Sequence, residues 1–119
     1  MRFSDWTTFD KLRSDAPTEG GLFQLKVKGG LLTYPDGKSA MFYYGFAGNL
    51  NQGLQNFRQK ILPLLEVNEE MLYLRWLATE DREARFQNHL NSFHSQFGTL
   101  PLGNEMLLQK QSQQEKRDS

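Results

Sequence analysis

The stretch GLFQLKVK, residues 21–28, decides the fold. After its glycine it alternates. Leu22 and Gln24 point one way, and Phe23, Leu25 and Val27 point the other, which is the two-residue repeat of a β-strand. Beyond it, Gly29-Gly30 reads as a hairpin turn or a bulge. Leu31 to Tyr34 is extended again. Pro35-Asp36-Gly37 is a turn, because proline presets φ and glycine accepts positive φ. The aromatic-rich run SAMFYYGF, residues 39–46, and the run MLYLRWLA, residues 71–78, read as the other two strands.

Helices fill the intervals. Ser4 or Asp5 caps a short first helix in which Trp6, Phe9 and Leu12 share a face, and Ala16 to Gly21 ends it. Asn49 caps a second helix, where Leu50, Leu54, Phe57, Ile61 and Leu64 step by four, three, four and three until Pro63 ends or kinks it. Thr79 caps a third, with acids in its first turn, Phe86, Leu90, Phe93 and Phe97 on one face and Gly98 as its stop. Leu100 to Asn104 reads as a loop. The stretch QKQSQQEKRDS has no apolar residue and reads as a disordered tail. The order predicts an α+β fold, a small antiparallel or mixed three-stranded sheet flanked by helices, with an N-terminal helix. It divides the chain into an N-terminal helix and linker (1–19), a main domain (20–105) and a polar tail (106–119).

Composition narrows the function. The chain has 119 residues, 38% of them hydrophobic, enough for one core. Lys plus Arg is 14 and Asp plus Glu is 14, so bulk charge does not mark a basic nucleic-acid binder, although a local patch is compatible with it. There is no cysteine, which excludes disulfides, zinc thiolates and cysteine nucleophiles. The N-terminus carries acids and no apolar run of secretory length, and no stretch nears the roughly 20 apolar residues of a membrane span, so a cytoplasmic protein is expected.

Several short segments, taken in order, resemble the GIY-YIG nuclease family. Gly21-Leu22-Phe23 sits where that family has its first strand signature and Tyr43-Tyr44-Gly45 where it has the second. Gly48-Asn49-Leu50 resembles its turn into the first helix. Glu83-Ala84 resembles the opening of its later helix, and Leu100 to Asn104 the loop that carries a late asparagine. The match covers roughly residues 20 to 105. It implies a phosphate site built from two tyrosines, a helix arginine and a later glutamate that holds a divalent metal. This chemistry orients water, neutralises the phosphorane and supports the leaving oxygen. Carried onto this chain, the first tyrosine is Phe23 and the second is Tyr43. The arginine, eight residues after the second signature's glycine, falls on Gly53. The glutamate falls on Gln87 or Asn88, and the late asparagine is Asn104. The resemblance therefore implies the scaffold without its ionic equipment: no catalytic residue, no metal and no cofactor.

Each residue also has a plainer reading. Phe23 and Tyr43 serve equally as strand aromatics of a core, Gly53 as a site of close approach or a tolerated small residue, and Asn104 as a turn residue. His89 and His94, five apart on a helix, face different ways and make no zinc pair. Glu69, Glu70, Glu80, Asp81 and Glu83 read as solvated helix-end acids. The expected function is a catalytically inactive module that works by protein interaction, as a small subunit or regulator, with its surplus aromatics as the binding surface. One alternative is a nucleic-acid-binding remnant using Lys26, Lys28, Lys38 and Arg58 on phosphates. The bland reading of those lysines is an outer sheet face kept soluble. The other alternative is an active endonuclease with relocated residues, the one case that would require magnesium.

Overall fold

The structure, a computed structural model, describes residues 2–118, with side chains described through residue 113. Strand β1 (Gly21–Val27) forms the centre of a three-stranded antiparallel sheet between β4 (Met41–Ala47) and β5 (Leu72–Ala78). Between β1 and β4 a separate hairpin pairs β2 (Leu32–Tyr34) with β3 (Gly37–Ser39) across the Pro35-Asp36 turn. The expected 39–46 strand is thus two elements, broken at Ala40. The fold is α+β, with four α-helices among the described residues: α1 (Leu12–Asp15), α2 (Leu50–Asn56), α3 (Arg82–Phe97) and α4 (Leu102–Asp118).

The alternation of β1 works on both faces, since both are covered. Phe23, Leu25 and Val27 pack with Leu50, Leu54, Phe57 and Leu74 under α1 and α2. On the other face Tyr44, Leu90, Phe93 and Tyr34 form a second cluster beneath α3. Gln24, on that second face, is buried yet fully paired. Its Oε1 accepts from Arg75 Nε and Nη2 at 2.9 and 2.7 Å, and its amide lies 3.1 Å from His89 Nδ1.

The N-terminal helix starts later than the sequence suggests. A 3-10 turn at Phe9–Lys11 leads into α1, and Ser4 caps nothing. Residues 4–7 instead run along the outer edge of β5. Thr7 exchanges backbone bonds with Leu74, Ser4 N–H donates to the Trp76 carbonyl, and the Trp76 N–H donates to Ser4 Oγ. An exposed strand edge needs partners, and this segment supplies them.

Asn49 caps α2 as expected, its Oδ1 accepting the Gln52 N–H at 3.0 Å. The helix then widens into a π-helical turn at Phe57–Ile61 and tightens into a 3-10 turn at Leu62–Leu65 that accommodates Pro63. The wider turn shifts the phase of the apolar stripe. Leu62 and Leu65 are buried in place of Leu64, which is exposed. Helix α3 begins at Arg82, and Thr79 accepts the Asp81 N–H at 3.4 Å just ahead of it. Leu100 and Pro101 are non-helical, as a loop would be, while Leu102 to Asn104 open a helix, α4, which continues through the residues read as a disordered tail. Gln, Glu and Lys are good helix formers even without apolar residues. The first turns are anchored, with Asn104 buried and Met106 and Leu107 packed against the main core. Ser119 lies outside the described residues. Among the described residues no helix is long and apolar enough to cross a membrane.

Candidate functional site

The site is built at the end of β4. Gly45, Phe46 and Ala47 form its floor, α2 and its π-helical continuation form one wall, and Phe86 of α3 forms the other. Together with Phe23, Tyr43, Gly53, Asn56, Phe57, Lys60 and Ile61 they line an open cavity of about 320 Å³. Three positions singled out from the sequence, Phe23, Tyr43 and Gly53, therefore meet in one concavity.

Local packing explains why these residues sit where they do. Phe23 and Gly45 are cross-strand partners, and the Phe23 ring covers the glycine so closely that an added Cβ would fall 2.3 Å from its Cζ. The ring stacks on Tyr43 at 6.0 Å and meets Phe57 edge-on at 5.4 Å. Gly53 lets α2 approach the sheet, since an added Cβ would lie 2.5 Å from that of Ala47. Gly53 is thus a site of close approach. At the rim, Phe46 packs against Phe86 with ring centroids 4.8 Å apart.

The electrostatics are those of a nearly apolar cavity. Burial pushes the Tyr43 hydroxyl up to about 12, so at neutral pH it is a phenol and no base. Among the described residues the only ionisable side chains in the lining are Tyr43 and Lys60, no carboxylate lines it, and no three His, Asp or Glu side chains cluster so as to share a metal.

The remaining predicted residues fall elsewhere. Gln87 and Asn88 are exposed on α3, where Gln87 bonds to Asn91 at 3.1 Å, and Phe86 takes the place facing the cavity. Asn104 lies outside the cavity lining. Its Oδ1 accepts the Tyr44 N–H and its Nδ2 donates to the Tyr44 carbonyl, both at 2.9 Å. Arg58 is engaged by Glu69 through Nε and Nη2, at 2.6 and 2.8 Å. Lys28 and Arg58 do line one recess of about 250 Å³, but they share it with Asp10, Glu69 and Glu70. Lys38 is exposed on β3.

Lys26 and Lys28 keep different company. Lys26 Nζ lies 4.4 Å from the Trp6 ring centre and Lys28 Nζ 4.6 Å from that of Tyr73, while the Arg75 guanidinium lies 4.4 Å from both Phe3 and Trp6. The result is a row of cations and rings on the second sheet face. Sequence reasoning missed Phe3, Trp6 and Tyr73 here, because their proximity depends on residues 4–7 lying along β5. It also missed Asn56 and Lys60, which stand three and seven residues after Gly53 and so fall on the same side of a helix.

No protein-family model matches the chain, and neither a curated protein nor a solved structure matches it. The fold and the cavity define the class: a small antiparallel α+β domain with an aromatic cleft at a strand end.

Proposed function

We propose that this chain is a GIY-YIG-like module without catalytic function that acts by binding another protein through the cleft at the end of β4. The observation that carries the reading is the cavity lining. Positions 23, 43 and 53 converge, yet among the described residues the lining offers five aromatic rings, one amide and one ammonium, and no carboxylate. Phosphodiester hydrolysis needs charge placed around a phosphate, whereas rings in a partly open cavity suit an apolar anchor from a partner. Phe46, 39% exposed at the rim, is the accessible part of this surface.

A photo-reactive benzoyl-phenylalanine in place of Phe46 tests the reading in the cells that make the protein. A discrete protein adduct, lost when Phe86 is changed to Ser, is expected. No adduct, or magnesium-dependent nicking of branched DNA that disappears in Tyr43→Phe, overturns it.

A second reading rests on the cation row. Lys26, Lys28 and Arg75 have no carboxylate within ion-pair distance among the described residues, and such a row suits a phosphate backbone. Binding of single-stranded DNA near 50 mM salt that weakens steeply as salt rises would favour it. No binding at that salt removes it.

A further inference from the structure

The outer edge of β4 is closed over its first half and open over its last. Helix α4 covers the first half. An added Cβ at Gly103 would fall 2.9 Å from the Phe42 carbonyl oxygen, and Asn104 occupies both backbone groups of Tyr44. Those bonds show that Tyr44 turns its N–H and C=O away from β1. In an antiparallel strand the residue two further on turns the same way, so Phe46 directs its N–H and C=O to the same edge. Neither group has a backbone partner outside the sheet ladder among the described residues. The cavity lies directly beside this edge, with Lys60 exposed at its rim and in no ion pair among the described residues.

We propose that an extended peptide segment of a partner protein adds to the β4 edge at Phe46, placing a large apolar side chain in the aromatic cavity and a carboxylate at Lys60. The inference rests on the protein-interaction reading and specifies the partner's chemistry. The register follows from strand geometry. The peptide residue opposite Phe46 exchanges both main-chain bonds with it, and its side chain lies on the Phe46 face. The residues before and after it project to the Phe23 and Tyr43 face. One of them fills the cavity and the other meets the ammonium, so the apolar and acidic residues are separated by one position. Main-chain bonds supply affinity and the two side chains supply selectivity, as in other strand-addition complexes. Among the described residues the rim lacks acids and carries one cation, Lys60, which selects an acidic segment over a basic one.

The test uses the full chain labelled with nitrogen-15 and titrated with Ac-Phe-Val-Asp-NHMe and its reverse, Ac-Asp-Val-Phe-NHMe. At least one order is expected to move the Phe46 amide downfield together with Gly45 and Gly53. Replacing Asp by Asn in that peptide weakens binding about threefold, the size of one exposed ion pair. Lys60→Gln abolishes this difference, and N-methylation of the valine amide abolishes the Phe46 shift. The inference is overturned if neither peptide moves Phe46. It is overturned too if the Asp and Asn peptides bind alike, or if the Phe46 amide responds only to dilution of the protein, which would mark a second copy as the occupant. If the Phe46 adduct still forms while the peptides fail, the inference falls and the interaction reading stands. Failure of both removes both.

Discussion

The side chain of Asn104 satisfies both backbone polar groups of Tyr44, accepting from its N–H and donating to its carbonyl at 2.9 Å each. An amide can stand in for a neighbouring strand because it carries one donor end and one acceptor end. Asn104→Ala leaves two buried groups without partners, and a loss of about 2–3 kcal/mol is expected. Urea unfolding followed by circular dichroism measures it. A loss below about 0.5 kcal/mol would mean that α4 does not depend on this contact.

The Phe23 ring and Gly45 fit only as a pair, since an added Cβ would meet the ring at 2.3 Å. Gly45→Ala is expected to cost about 1–3 kcal/mol, as overpacking does. In the Phe23→Ala background the same change becomes close to neutral, because the ring it collides with is gone. A double-mutant cycle reads this directly, and additive losses would contradict the geometry.

Gly53 offers a conflict of two effects with a definite winner. Alanine favours a helix over glycine by about 1 kcal/mol, but its Cβ would lie 2.5 Å from the Ala47 Cβ. Neither atom can rotate away, so Gly53→Ala destabilises despite the better propensity. Adding Ala47→Gly relieves the contact, and the double variant melts higher than Gly53→Ala alone.

His89 sets a pH dependence whose sign follows from its surroundings. Arg75 occupies Gln24 Oε1, so the Gln24 amide donates to His89 Nδ1 and fixes a neutral ring with its proton on Nε2. Burial, then Arg85 and Arg75, lower its pKa. A base depressed in the folded state binds fewer protons folded than unfolded. Its contribution to stability is therefore fully present above the unfolded pKa of about 6.5 and is lost as pH falls below it. His89→Gln is expected to flatten the change in unfolding free energy between pH 7.5 and 5.5. An unchanged slope would assign the dependence elsewhere.

The strands were legible because alternation and aromatics coincide at Leu22 to Val27, Phe42 to Phe46 and Leu72 to Leu77. Helix α3 was legible from Phe86, Leu90, Phe93 and Phe97. Residues 4–7 were not, since Trp6, Phe9 and Leu12 satisfy a helical period as well as an extended segment that turns into a helix at Phe9. Helix α4 hid behind Pro101 and Gly103. There the proline precedes the first turn and the glycine permits contact with Phe42, so neither breaks the helix. Of the candidate site, Phe23, Tyr43 and Gly53 are legible from the order of the short segments that carry them. Phe86 is not, because it lies one and two positions before Gln87 and Asn88 and only the face of α3 that meets the sheet distinguishes them. Lys60 shares a helix side with Gly53, seven residues before it, but a solvated lysine on an amphipathic helix carries no mark that a cavity opens beside it.

The N-terminal strap over β5 has a consequence for handling the protein. Thr7 and Ser4 occupy the outward backbone groups of Leu74 and Trp76. Clipping the chain just before Thr8 strips those groups bare beside a half-buried tryptophan, and two trimmed copies would then zip together along β5 into a continuous six-stranded ribbon. Proteolytic nicking at this end would therefore show itself first as dimers and precipitate, before any loss of helix.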